Sequence, residues 1–157
     1  MMMMAYAVIR IRGHAGVNKD IEDTMGMLHL TRINHCVVLP ETDVVKGMLY
    51  KIKDYATWGE VSAETLARMI KFKGALAGGG LVDDAYIKER SKFTSIISLA
   101  KAVVKDEFQY AKLDGAKPLF RLAPPRKGYE GNKKSFRDGG ALGYRGDKIN
   151  DLIARML

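Results

Sequence analysis

Hydrophobic and polar residues alternate along the first sixty positions in the manner of short strands separated by amphipathic helices. In residues 6–12 the period is two, so Ala7, Ile9 and Ile11 share one side of a strand, which predicts one core face. The other side of that strand carries Tyr6, Val8, Arg10 and Arg12. Two further apolar strands are predicted, at Cys36–Leu39 and Ala56–Val61.

Helical spacing fills the gaps between these strands. Asn18 can cap a helix that has an acidic first turn and runs to near Leu30, and Thr42 can cap a second helix. The order strand, helix, strand, helix, strand therefore occupies residues 5–61. It predicts an α+β domain in which helices pack on one face of a small sheet.

Residues 62–123 are interpreted as a helical extension of this domain. A capped amphipathic helix is predicted over Ala63–Lys73 and is followed by Gly-rich sequence. Two more helices are predicted to begin at Asp83 and at Thr94 or Ser95.

The C-terminal third of the chain is predicted to contain a hairpin and then a long irregular segment. Asp114-Gly115 is typical of a hairpin turn, which predicts pairing of Gln109–Leu113 with Leu119–Leu122. Residues 124–146 contain two prolines, six glycines and no hydrophobic period, so we expect them to be disordered until a partner orders them. Helical spacing returns only in residues 148–157.

The composition allows a folded protein but leaves little material for catalysis. With 47% hydrophobic residues the chain can bury a core, while a single cysteine, Cys36, excludes a disulfide scaffold and cysteine-rich zinc sites. His29 and His35 lie near Cys36 in sequence, but no spacing puts three ligands on one face, so we interpret all three as structural. No nucleophile can be paired with a base and an orienting group. The sequence therefore predicts no catalytic residue, no metal site and no cofactor.

The charge of the chain is basic and is concentrated in its tail. The net charge is +8, and residues 117–157 hold ten basic and four acidic side chains, a balance of +6. A neutral body with a basic tail is the arrangement expected for a polyanion partner. In residues 124–137, arginine and lysine alternate with glycine and aromatic residues, the types that bind phosphates and stack on unpaired bases. The alternative interpretation of that segment is a flexible basic linker with no specific partner.

Nothing in the sequence points to a membrane. No apolar run approaches the roughly 18 to 20 residues that cross a bilayer, and the first residues lack the features of a signal peptide. A single cysteine is also typical of a reducing compartment. We therefore expect a cytoplasmic protein with no membrane partner.

Several short motifs resemble one protein family. The motifs shared with all its branches are Val8–Gly13, Thr24–Leu30, Arg32–Asn34 and Gly47–Lys51. The motifs typical of its archaeal and eukaryotic branch are Thr57–Glu60, Phe120–Gly128, Gly139–Gly146 and Lys148–Asn150. On these motifs the chain resembles the archaeal form of the universal L-thirty family of large-subunit ribosomal proteins, whose eukaryotic relatives are called L-seven. The resemblance covers nearly the whole chain.

The resemblance implies an α+β fold: a small three-stranded, mainly antiparallel sheet of βαβαβ order, related to the ferredoxin-like fold, with two helices on one face. Extra helices and an extended basic C-terminal segment complete it. The implied domains are a ribosomal core at 5–61, a helical extension at 62–123, and a basic RNA-binding extension with a terminal helix at 124–157.

The resemblance also implies a function. It is that of a non-enzymatic structural constituent of the large ribosomal subunit, whose partners are large-subunit rRNA and neighbouring ribosomal proteins, with no small-molecule substrate. By position in the motifs, the implied RNA-binding residues are Arg10, Arg12, Arg32, Asn34, Lys51, Arg126, Lys127, Lys133, Lys134, Arg137 and Arg145.

Two other classes of protein share some of these features. A small-molecule-sensing regulatory module can use the same βαβαβ order, because a fold does not fix a function, but it has no need of a basic tail. A DNA-compacting protein would share the positive charge, but such proteins present a repeated basic face. Neither class explains the Pro-Pro-Arg-Lys-Gly and Gly-Tyr-Arg-Gly segments.

Overall fold

A five-stranded sheet runs through the part of the chain that the computed structural model describes, namely residues 5–13, 15–105, 107–113, 115–129, 131 and 134–157. The strands are β1 (Ala5–Arg10), β2 (His35–Pro40), β3 (Ala56–Glu60), β4 (Phe120–Arg121) and β5 (Gly143–Tyr144). Their order across the sheet is β4-β2-β1-β3-β5, and every pair is antiparallel except β3 with β5. The helices are α1 (Lys19–Met27), α2 (Asp43–Lys51), α3 (Ala63–Lys73), α4 (Asp84–Arg90), α5 (Ile96–Val104) and α6 (Ile149–Met156).

The three longer strands and the helices between them confirm the predicted α+β fold. Local side-chain caps set the predicted helix starts. The Asn18 side chain accepts a hydrogen bond from the amide of Asp20, and the Thr42 hydroxyl accepts one from Val45. The caps of the later helices are Ser62, Asp83 and Ser95, as predicted.

Both faces of the sheet are buried, whereas the alternation in β1 predicted one core face. Tyr6 and Val8 pack into one cluster with α1 and α2, so these two helices lie on the side of the strand opposite to Ala7 and Ile9. Ala7 and Ile9 belong to a second cluster, built with α3, α5 and α6. All six residues of β1 are buried as a result, so the strand is the centre of a three-layered structure.

The predicted hairpin between Gln109–Leu113 and Leu119–Leu122 is wrong. Tyr110–Lys112 forms a 3-10 turn instead, and β4 pairs with β2, which aligns Phe120 with Cys36. The Phe120 ring is fully buried against the Tyr110 ring, with 4.9 Å between the ring centroids. Burial of these aromatic rings therefore favours the pairing of β4 with β2. Asp114, the first residue of the predicted turn, lies outside the described residues.

The described part of residues 124–146 is packed on the body, which contradicts the predicted disorder. Ala141 and Leu142 are buried in a small cluster with Ile11. The Phe136 amide donates to the Leu142 carbonyl at 2.7 Å, and the Arg145 amide donates to the Trp58 carbonyl at 2.9 Å. The apolar residues of this segment are scattered, so they bury surface without leaving a periodic pattern in the sequence.

Candidate nucleic-acid interface

One end of the sheet collects most of the side chains predicted to bind RNA. β1 finishes there at Arg10, and the antiparallel strands β2 and β3 begin there, with Ala56 aligned to Arg10. At the same end β4 aligns Arg121 with His35, and β5 begins beside Thr57. We call this region the basic end of the sheet and define it by its exposed or half-exposed cations, Arg12, Arg32, Lys51, Arg121, Arg126, Lys127, Lys134 and Arg137.

The turn after α2 is tied to the end of β1. The amides of Ile11 and Arg12 both donate to the Tyr55 carbonyl, at 2.8 and 3.1 Å. The Arg12 guanidinium lies 5.0 Å from the Tyr55 ring centroid and donates to the Asp54 carbonyl at 3.4 Å. Lys51 is exposed in the last turn of α2, just before the turn whose Asp54 and Tyr55 contact Arg12.

Asn34 connects the body to the basic extension. Its φ of 68° lies in the left-handed region and turns the chain from the α1–β2 loop into β2. Its side-chain oxygen accepts the Tyr129 hydroxyl at 2.5 Å, and its carbonyl accepts the Leu122 amide at 3.1 Å. These bonds bring residues 122–129 beside the Arg32 loop.

The loop at Arg126–Gly128 is held on the end of α6. The Arg126 amide donates to the Arg155 carbonyl at 3.0 Å, and the Arg155 guanidinium donates back to the carbonyls of Arg126 and Gly128 at 3.2 and 3.1 Å. The Arg126 side chain also donates to the Ala154 carbonyl at 3.2 Å. Lys127 is exposed at a φ of 67°, a strained conformation for a lysine, which projects its side chain from a tight turn.

Lys134 and Arg137 precede Ala141 and Leu142, the two buried residues that pack against Ile11. The Lys134 carbonyl accepts the Leu142 amide at 3.1 Å, while the side chains of Lys134 and Arg137 are both exposed. Lys133, the remaining predicted cation of this segment, lies outside the described residues.

Arg10 is fully buried and its guanidinium is used inside the protein. It donates to the Leu30 carbonyl at 2.8 Å and to the Arg12 carbonyl at 2.9 Å. Two further nitrogen–oxygen contacts of 3.2 Å join it to both carboxylate oxygens of Glu22, in a bidentate pair. Arg10 therefore fastens the first turn of α1 and the loop after that helix to β1.

Arg145 has a similar position on the other side of β1. It is 5% exposed, and its guanidinium donates to the Thr57 hydroxyl at 2.9 Å and the Ala141 carbonyl at 2.8 Å. The guanidinium also lies 4.9 Å from the Phe136 ring centroid. The resemblance grouped Arg10 and Arg145 with the exposed cations by their position in the family motifs, because such a position does not report the burial of a side chain.

Sequence reasoning missed Arg121 and His35 at the basic end. Arg121 is exposed on β4, and His35 is 8% exposed opposite it on β2. Burial lowers the pKa of His35, and the nearby charges of Arg121, Arg32 and Arg10 lower it further. No local signal could reveal this group, because the pairing of β4 with β2 joins segments more than eighty residues apart.

Two carboxylates, those of Glu41 and Glu60, lie at the opposite end of the sheet and accept hydrogen bonds from tyrosines. The Tyr6 hydroxyl donates to Glu41 at 3.1 Å, and the Tyr144 hydroxyl donates to Glu60 at 2.5 Å. The hydrogen bond to the Glu60 carboxylate raises the pKa of Tyr144 to about 12. Lys46 lies 3.6 Å from the Glu41 carboxylate, so this end of the sheet carries a paired carboxylate beside the hydrogen-bonded Glu60.

The described residues contain no group of three or more His, Cys, Asp and Glu that could hold a metal ion. Cys36 is fully buried, and this burial raises the pKa of its thiol. In the described part of the chain, no helix is long and apolar enough to cross a membrane.

Comparison with known proteins extends the motif analysis to the whole chain. A family model described as ribosomal protein L30p/L7e matches residues 6–56. The large ribosomal subunit protein uL30 of Methanosphaera stadtmanae is 53% identical over 152 residues, which cover 97% of this chain and 99% of that relative. This chain belongs to the L30p/L7e family. The resemblance drawn from the short motifs is confirmed.

Other members of the L30p/L7e family match over a similar length. The uL30 protein of Nanoarchaeum equitans is 47% identical over 99% of this chain and 100% of its own length. That of Thermoplasma acidophilum is 46% identical over 96% of this chain and 92% of its own length. The family model ends at Ala56, the first residue of β3, whereas the matches to these archaeal relatives cover nearly the whole chain.

Proposed function

We propose that this chain is a structural constituent of the large ribosomal subunit and binds large-subunit rRNA through the basic end of its sheet. The family and the names of the archaeal relatives support the first part. The observation that carries the second part is the convergence of exposed cations at one end of the sheet, while Glu41 and Glu60 lie at the opposite end. A polymer of phosphates approaches such a molecule from one direction.

The residues of the basic end divide into two roles in this proposal. The exposed and half-exposed cations contact phosphates: Arg12, Arg32, Lys51, Arg121, Arg126, Lys127, Lys134 and Arg137. The sequence motif adds Lys133, which lies outside the described residues, to this group. Arg10, Asn34 and Arg145 act as positioning residues, because their polar atoms are bonded to the loops that carry the exposed cations. They affect RNA binding through the shape of the surface.

The three predicted segments also take different roles. Residues 5–61 form the platform, residues 62–123 cover its second face, and residues 124–157 add the largest share of positive charge. We propose neighbouring ribosomal proteins as the second class of partner. The support is the exposure of large apolar side chains on the helices, among them Val44 and Tyr50 of α2, which suit protein contacts.

Sedimentation tests the proposed function. Tagged full-length chain expressed in an archaeal host should co-sediment with large ribosomal subunits on a sucrose gradient. A variant with Arg32, Arg126 and Lys127 changed to Ala should shift toward the free-protein fractions, while a control with the exposed Lys88, Lys92 and Lys105 changed to Ala should not. Recovery of the wild-type chain in the free fractions alone would overturn the proposal, and such a result is expected of a small-molecule sensor.

A further inference from the structure

A small polar cavity lies at the basic end of the sheet and contains side chains that the family motifs do not group together. Its volume is about 300 Å³, and it is lined by Thr31, Arg32, His35 and Arg121. Arg32 and Thr31 come from the loop after α1, His35 begins β2, and Arg121 is held opposite His35 by the β2–β4 pairing. The cavity is therefore built by tertiary structure and not by one local segment.

The charges around this cavity have one sign. Among the described residues no carboxylate lies within ion-pair distance of Arg32 or Arg121. Arg10, the third guanidinium near His35, differs because Glu22 neutralises it in a bidentate pair. The cavity thus holds two uncompensated positive charges beside a buried imidazole, which repels metal cations and attracts an anion.

His35 can supply a hydrogen-bond donor to that anion. The Thr31 hydroxyl lies 3.3 Å from Nδ1 of His35, and a hydroxyl that donates to Nδ1 leaves the ring proton on Nε2. The charges that face the ring are Arg121 from β4, Arg32 from the preceding loop and Arg10 from β1, and together with burial they lower its pKa. Burial and these charges therefore both favour the neutral form of the ring.

We propose that this cavity is a seat for one phosphodiester group of RNA, held by the guanidinium groups of Arg32 and Arg121 and by the imidazole of His35. The described lining consists of two guanidinium groups, one imidazole and one hydroxyl, all of which can donate hydrogen bonds, so it suits the tetrahedral oxyanion of the backbone. Two arginine forks can share the oxygens of one phosphate. The assignment of the phosphate to rRNA rests on the proposed function, whereas the seat itself does not.

Nuclear magnetic resonance of the histidine ring tests the seat directly. Full-length chain labelled with ¹⁵N at histidine is titrated at constant ionic strength with inorganic phosphate and, separately, with the dinucleotide UpU, which carries one phosphodiester and no terminal phosphate. Both should perturb the His35 ring signals and raise the pKa of His35, because a bound anion offsets the neighbouring arginines. UpU should bind about tenfold more weakly to Arg32→Gln and to Arg121→Gln, the loss expected for one charge-assisted hydrogen bond.

Lys88→Gln is the matched control, since it removes one exposed charge on α4, far along the chain from the cavity, and should bind UpU like the wild type. Unchanged backbone amide spectra would show that the variants are folded. A response to phosphate but not to UpU would overturn the RNA assignment of the seat. No response of His35, or an equal loss in the Lys88 variant, would overturn the seat itself. Sedimentation of the wild-type chain is independent of these results and separately decides the ribosomal role.

Discussion

Arg10 and Arg12 are two residues apart on the same side of β1, and their surroundings differ completely. Arg10 is buried and bonded to Glu22 of α1 and to the carbonyls of Arg12 and Leu30. Arg12 lies beyond the end of the strand, where its guanidinium contacts the face of the Tyr55 ring. The acidic first turn of the helix from Asn18 was visible in the sequence, but its pairing with a strand arginine was not. Which of two equivalent cations is buried depends on where the strand ends relative to the helix.

Replacing each arginine by methionine measures this difference. Arg10→Met should lower the free energy of unfolding by about 1–3 kcal/mol, because it leaves the buried Leu30 carbonyl without its donor and removes an ion pair whose carboxylate, Glu22, is 34% exposed and can be hydrated. Arg12→Met should lower it by less than about 1 kcal/mol, since its contacts are at the surface. Urea unfolding followed by circular dichroism gives both values. Equal decreases would mean that the buried network adds nothing to the stability of the fold.

Helices with local caps could be predicted closely, whereas the two-residue strands could not. The helix at Ala63–Lys73 has the predicted bounds because Ser62 and Gly74 act on their own neighbours. β4 and β5 exist only through pairing with distant strands, so no period in their own sequence reveals them. The same argument explains the error over residues 124–146, whose order comes from contacts with β1 and β3.

The docking of β5 on β3 depends on a missing side chain at Gly59. A Cβ added there would overlap the carbonyl oxygen of Gly146 and lie 3.1 Å from Cβ of Ile149. Gly59→Ala should therefore lower the free energy of unfolding by about 1–3 kcal/mol and reduce hydrogen-exchange protection of the Arg145 amide, which donates to Trp58.

Gly47→Ala is the matched control for this substitution. Gly47 lies inside α2 with nothing within 4 Å of an added Cβ, so alanine should raise the free energy of unfolding by about 0.5–1 kcal/mol. Protection of the Arg145 amide should stay at the wild-type level in this variant. Full protection of that amide in Gly59→Ala would show that the C-terminal segment is held by contacts other than its close approach to β3.

Exposed cations from the body and from the C-terminal extension meet at one end of the sheet. The sequence located the excess of positive charge in residues 117–157, and that part of the interface could be predicted. It could not show that the extension folds back onto the end of the sheet that carries Arg12 and Arg32, because this depends on the bonds of Asn34 with Tyr129 and Leu122. The candidate surface is thus formed by residues of the sheet domain, 5–61, together with residues of the C-terminal extension, 124–157.

The salt dependence of RNA binding tests whether the location of the cations, and not the net charge of the protein, determines the affinity for RNA. One variant changes five cations of the extension to Ala: Arg126, Lys127, Lys133, Lys134 and Arg137. A second variant removes the same charge from the helical extension through Ala at Lys88, Lys92, Lys101, Lys105 and Lys112. For every cation that binds a phosphate in the wild-type chain, its removal should flatten the slope of log K against log salt by roughly 0.7 to 0.9. We expect the flattening in the first variant alone, because a counterion is released only where a cation touches a phosphate. Equal flattening in both variants would mean that RNA binding depends on the total charge of the molecule. That result would contradict the proposal that RNA binds at the basic end of the sheet.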